Sequence, residues 1–587
     1  MKRRVYVSLI IGALALSACG TFAVLSTDPA SAQTAQQPVI YLNQAWSQRD
    51  REWWYNFSQG SSAISYDIFL NLEVAGSQEL FRSDANSERY GMILNAPNWN
   101  NPDGLPIGLT KTPVPKALMP GEHVGDYVGP NCALCHNAQL YYKGKRIRID
   151  GGVNNTVDMQ AWIYAMDDAL QATLNDPAKF DRLASRLKAS DAGAKSALRK
   201  RLEGDADNVH QYRTRVVVTP TRWGPSRMDA IALIINRLTN QLPGIPENWS
   251  TPVAPTKPPF MWNAPQGLWT QWRGPQQVPI ERNLIETMGV YMSINLHAKD
   301  PKEGLFESNA NVRNIQDAEN LIARLAPPSW PEEVFGKIDR EKAARGKDLF
   351  VPLCSTCHNV WPYVWTEPNK YGKRFVLVGL TPQSLVGTDP NQFETAREYT
   401  IPRQLSPYMP GPFKDKDLVP TGDMYYGIVK LVLESAIARA KIPEADMPAL
   451  LGYRELPTPR PAQRVYKAAP RDGVWATPPF MHNGSVPNLY EMLVPARERT
   501  KKFCLGREFD PVKVGLDTTC GSGAFEIDTA LRGNSNAGHS FEDAPRGNGV
   551  IGNLLTDEQR WALVEYLKSI PETPGRVTPF GGPPVAK

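Results

Sequence analysis

The chain has 587 residues, 42% hydrophobic and 21% charged, with a formal charge of +5. Those values describe a soluble globular protein of more than one domain and exclude a disordered or multi-span membrane chain. With no basic block, the sequence also excludes a nucleic-acid binder that docks through a concentrated cationic patch.

The first segment, MKRRVYVSLIIGALALSACG, reads as an export leader. It has three basic residues (Lys2, Arg3, Arg4), an apolar run from Val5 to Leu16 and small residues before Cys19. The run is too short to span a bilayer. "LSAC" fits a lipobox, which makes Cys19 a candidate lipid anchor; the alternative is cleavage after Ala32. Either route predicts a periplasmic or extracellular protein, membrane-anchored as a lipoprotein in the first case. The expected division is a leader over 1–32, an N-terminal haem domain over 33–330 and a cytochrome c domain over 331–587.

Residues 40–130, rich in aromatics and turn signals, lead into NCALCHN at 131–137. YYKGKRIRIDGG then predicts a short strand and turn, and 158–203 has helical pattern and charge. The proline- and tryptophan-rich stretch 243–282 cannot be a long helix and predicts a packed loop. DREKAARGKDLF at 339–350 predicts a helix running into LCSTCHN at 353–359. Near the end, Thr556 and Gln559 can form a capping box for a last helix with an apolar side of Trp561, Leu563, Val564 and Leu567. First and last helices packed across each other would define a haem domain of about 331–570, and no repeat beyond the two motifs is expected. The fold class is mainly α with long ordered loops and a few short strands, built as two c-type cytochrome haem domains.

Six cysteines follow Cys19. Four form two Cys-x-x-Cys pairs, for which a zinc knuckle, a redox disulfide and covalent haem compete. Haem attachment alone requires the adjacent histidine, and both copies have it. Two covalently bound haem c groups are therefore predicted, on Cys132, Cys135 and His136 and on Cys354, Cys357 and His358. Cys504 and Cys520 are expected to form a disulfide, with a reactive thiol as the alternative.

What faces each iron from the other side decides its chemistry. His482 or His539 can close the second haem. Between Asn137 and Val209 there is no histidine, and Met159 and Met166 are expected on an ordinary helix face. The first iron is therefore expected to be open, the alternative being closure by His210, His297 or a methionine returning through a long loop.

These motifs resemble the bacterial di-haem cytochrome c peroxidase superfamily. Added to REWWYNFSQGSSAISYDIFLNLE, HNGSVPNLYEMLVP, GNSNAGHSFED and LTDEQRWALVEYLKSI, they are most similar to its branch of RoxA-type rubber oxygenases and di-haem fatty-acid dioxygenases. The resemblance implies that His539 is the distal ligand of the second haem, with His482 supporting it. Peroxidases of the superfamily carry a removable distal histidine at the position of Gly152. Aromatic residues line the open haem pocket of the oxygenases, which nominates Phe260, Trp262, Trp269 and Trp272. The implied activity is oxidation of an apolar unsaturated fatty acid or polyisoprene by O2, with a periplasmic electron donor. Peroxide reduction and plain electron transfer are the alternatives.

Overall fold

The computed structural model describes residues 38–456, 463–521 and 524–583. The leader and Cys19 lie outside these residues. Strands and helices alternate along the chain in small sheets of two or three strands. The fold is thus mixed rather than mainly α, because the segments flanking the first haem motif pair as strands.

Two three-stranded sheets flank that motif. In one, Gly125–Pro130 is the centre strand, antiparallel to Ile64–Ser65 and Leu109–Val114. In the other, Lys145–Asp150 lies between Asn137–Tyr142 and Val39–Tyr41. The predicted strand and turn is therefore a hairpin. Its turn residues Lys143 (φ 49) and Gly144 (φ 78) have the positive φ values that suit a two-residue turn to twisted strands.

The 158–203 pattern resolves into three helices, Met159–Asn175, Pro177–Arg186 and Ala192–Arg215. Asp158, Asp176 and Asp191 each cap one by accepting from backbone N–H groups, and Pro177 at the second helix start explains the break. Trp162, Met166 and Leu170 pack against Leu198, Leu202 and Val209 in one apolar cluster. Each such buried side chain contributes about 1.5–3 kcal/mol.

Helix Arg340–Cys354 crosses helix Asp557–Ser569 as predicted, and Thr556 and Gln559 form the capping box. Gly346 permits the crossing, since a Cβ there would lie 2.0 Å from the Ala562 carbonyl oxygen. Phe350 packs on Tyr566 beside it, with ring centres 5.1 Å apart. The core around this crossing takes in residues from Leu42 to Ile570, on both sides of position 330, and Val39–Lys587 form one compact unit. Cys504 and Cys520 are joined in a disulfide.

Candidate functional site

Asn131 starts the single helical turn Cys132–Cys135. Its side-chain oxygen accepts from Ala133 N at 2.9 Å, and its amide donates to the Phe57 carbonyl at 2.8 Å. Gly108, at φ 88, lets the chain before it lie on this turn; a Cβ there would meet Leu134 Cα at 2.2 Å. The His136 ring follows, with Nδ1–H donating to the Pro259 carbonyl at 2.8 Å. That bond fixes the ring and leaves Nε2 with its lone pair free. Burial pushes the His136 pKa down to about 4, which keeps the imidazole in its neutral, metal-binding form.

The second motif ends a long helix. Cys354 is the last residue of Arg340–Cys354, and His358 N–H donates to its carbonyl at 2.8 Å. His358 Nδ1–H donates to the Ala469 carbonyl at 3.0 Å, and Arg471 Nε lies 3.0 Å from the same nitrogen. His539 arrives on a loop shaped by close glycine contacts. A Cβ on Gly538 would sit 2.3 Å from the Gly387 carbonyl carbon, and one on Gly387 would sit 2.5 Å from Gly549 Cα. Buried Arg499 holds the same loop by donating to the carbonyls of Asn536 (2.6 Å), Gly538 (2.8 Å) and His539 (2.8 Å). The outcome is a facing pair: the His358 and His539 ring centres are 6.3 Å apart. Two metal–imidazole bonds of about 2.0 Å each, plus the half-widths of two rings, span such a gap. Burial pushes His358 well below its usual pKa and His539 down to about 3, so both imidazoles are neutral, the form that can bind a metal.

Each motif opens on its own cavity, of about 350 Å3 beside His136 and about 380 Å3 beside His358. Both fall within the range of about 300–1,000 Å3 usual for cofactor sites. The two Cys-x-x-Cys pairs therefore cannot combine into one tetrathiolate zinc site, and neither pair is a disulfide. Burial raises Cys132, Cys135 and Cys354 to about 12, which disfavours thiolates.

A haem fits the cavity beside His358. Its wall supplies two thiols, facing imidazoles and four basic side chains (Lys257, Lys467, Arg471 and Arg546) with no carboxylate. Burial lowers the pKa of Lys257 and Lys467; among the described residues Arg471 and the exposed Arg546 have no carboxylate partner and suit an anion, and haem carries two propionates. The cavity beside His136 offers the same thiol pair, but His136 is the single histidine in its wall. Apolar side chains of helix Ala230–Asn236 and Ile285 of helix Pro279–Gly289 close much of it. Position 152 leaves no room for a distal histidine, because a Cβ on buried Gly152 would already meet Ile149 Cγ2 at 2.8 Å.

The four nominated aromatics separate. Phe260 and Trp272 stand on the wall shared by both cavities, together with Lys257 and Lys467. Trp262 and Trp269 line neither, which corrects their nomination. Trp262 is stacked behind Phe260 at 4.7 Å and anchored by Nε1–H donating to the Asp472 carbonyl at 2.9 Å, while Trp269 is half-buried outside. His482 is stacked on Tyr466 at 4.4 Å within the C-terminal cavity wall. Met159, expected on an ordinary helix face, lines the cavity beside His136.

Two features escaped the sequence reading. Glu286 reaches the wall beside His136 and accepts a hydrogen bond from Gln271 Nε2. Burial raises its pKa, holding the carboxyl towards its protonated form. Gln271 adopts φ 57, a left-handed conformation that costs a non-glycine residue free energy and recurs at functional sites. The other feature was visible in the letters: Pro-Pro-Phe-Met occurs at 258–261 and again at 478–481. The two copies are tied by buried Lys257, whose N–H donates to the His482 carbonyl at 2.9 Å. Its ammonium donates to the carbonyls of Thr477 (2.7 Å) and Pro479 (2.5 Å).

Among the described residues no helix is long and apolar enough to cross a membrane. Residues 465–504, which contain Ala469, Arg471 and His482, match the family described as RoxA-like, cytochrome c-like. Along nearly its whole length the chain is similar to the uncharacterized protein y4iJ of Sinorhizobium fredii, with 32% identity over 585 residues, 91% of this chain and 93% of that protein. A second S. fredii protein, the uncharacterized y4iM, is 26% identical over 266 residues, 44% of this chain and 48% of that protein.

Proposed function

The chain belongs to the family of the S. fredii protein y4iJ, and from its RoxA-like cytochrome c segment and the two cavities we propose that it is an exported di-haem c oxidoreductase. It uses O2 to oxidise an apolar unsaturated substrate, a fatty acid or a polyisoprene, in the cavity beside His136. The observation that carries this reading is the unequal histidine supply: one imidazole in that wall, two facing imidazoles in the other.

Haem supplies the one-electron chemistry that O2 activation requires. The chain supplies the rest. His136 binds from one side, held by the Pro259 carbonyl. Ile234, Ile235 and Ile285 line the same cavity and would admit a hydrocarbon and exclude water. His358 and His539 would hold a second haem between their facing rings, which would supply one-electron exchange with a periplasmic donor. The leader puts the protein outside the cytoplasm, tethered where Cys19 carries lipid.

Glu286 favours a second reading, peroxide reduction. A buried carboxyl whose pKa is raised by burial, oriented by Gln271, suits delivery of a proton to a leaving oxygen. Oxygen uptake with oleate and with polyisoprene latex, without peroxide, decides between them. Uptake with either supports the oxygenase; turnover with peroxide and a reduced donor alone replaces it.

A further inference from the structure

The two proximal imidazoles have unequal surroundings. His136 Nδ1 has one polar neighbour, the Pro259 carbonyl at 2.8 Å. His358 Nδ1 has two: the Ala469 carbonyl at 3.0 Å and Arg471 Nε, also at 3.0 Å. Arg471 Nε donates to the same Ala469 oxygen at 2.9 Å, so carbonyl, imidazole and guanidinium meet in a triangle. Arg471 also lines the cavity, and among the described residues no carboxylate pairs with it; neighbouring Asp472 is engaged by Arg576, Tyr363 and Trp361 N–H. The cation is therefore not neutralised by the protein. In a low-polarity enclosure its field at a charge a few ångströms away is strong. The local sequence explains the placement: Arg471 sits two residues after the carbonyl that orients His358, within the segment of the RoxA-like match.

We propose that Arg471 is a positioning residue that raises the reduction potential of the C-terminal haem, stabilising the iron after it takes one electron from a one-electron donor. The inference rests on the reading that Cys354 and Cys357 carry haem. Nothing comparable touches Nδ1 of His136, so the effect belongs to one centre.

The test is a mediated spectroelectrochemical titration of the full-length holoprotein, after haem is counted by pyridine haemochrome. Arg471→Gln, which keeps a donor and loses the charge, is expected to lower the C-terminal midpoint by a tenfold change in the reduction equilibrium, 59 mV for one electron. The N-terminal midpoint stays in place, and Arg471→Lys retains at least half of the effect. An unmoved or raised midpoint in Arg471→Gln, or an equal shift of both haems, overturns the proposal. If Arg471→Gln fails to load haem, Arg471→Met is read in its place, with the same expected drop and the same overturning results. Fewer than two haems in the wild-type protein defeats the di-haem reading instead, so the two failures are distinct.

Discussion

Two pentapeptides of one pattern sit in unlike frames. The first joins strand Gly125–Pro130 to strand Asn137–Tyr142, so both of its flanks are fixed by sheet hydrogen bonds. The second ends a fifteen-residue helix, with Ser355 and Thr356 exposed. The first histidine faces a wall without a second imidazole, and the second faces His539. The pentapeptides thus share one local chemistry, and the surrounding fold sets what faces each histidine.

Removing the thiols should break the contrast most completely. Replacing Cys132 and Cys135 by alanine is expected to leave one haem per chain and abolish oxygen uptake. The same change at Cys354 and Cys357 also leaves one haem, but its retained centre still binds carbon monoxide. Haemochrome assay and intact mass read both.

His539→Ala should erase the difference between the cavities. Carbon monoxide binding to the reduced protein then rises from one to two per chain, whereas His482→Ala leaves it at one. Two per chain in the wild type would refute the closed C-terminal pair.

The frames themselves can be loosened. Gly346→Ala drives a methyl into the Ala562 carbonyl and is expected to cost about 3 kcal/mol. Arg499→Met, which releases three loop carbonyls, should cost about 2 kcal/mol. Denaturant titration measures both, and only the second is expected to perturb the His539 ligand signal.

The mildest effect concerns the first motif's frame. Buried Asp205 accepts from Ser65 N–H at 3.0 Å, tying helix Ala192–Arg215 to the sheet that precedes Cys132. Burial raises its pKa from 3.8 to about 7. Between those values the folded protein keeps a proton that the unfolded chain has released, so stability declines as pH rises through that window. Asp205→Asn should flatten the slope, by at most about 1.4 kcal/mol per pH unit. A slope unchanged in the variant assigns the effect elsewhere.

Local chemistry was legible in the letters. The helix that runs into the second motif, the capping box and the disulfide partners each rest on residues close in sequence or on few alternatives. The mixed fold was harder to read, since Gly125–Pro130 becomes a centre strand only through partners at 64–65 and 109–114. The cavity walls were harder still. Trp262 and Phe260 are two residues apart in a non-repetitive loop, and no periodicity tells which one faces inwards. Glu286 gave no signal because a carboxyl on a short helix looks solvent-facing until the neighbouring Gln271 turn folds over it.

The partition built from Lys257, Phe260, Trp272 and Lys467 borders both chambers. A variant library that enlarges the chamber beside His136 at Phe260 or Trp272 would therefore also reshape the chamber beside His358, so the two sites could not be varied separately. Ile231, Ile234, Ile235 and Ile285 belong to one chamber alone, which makes the opposite side the place to re-engineer substrate choice independently.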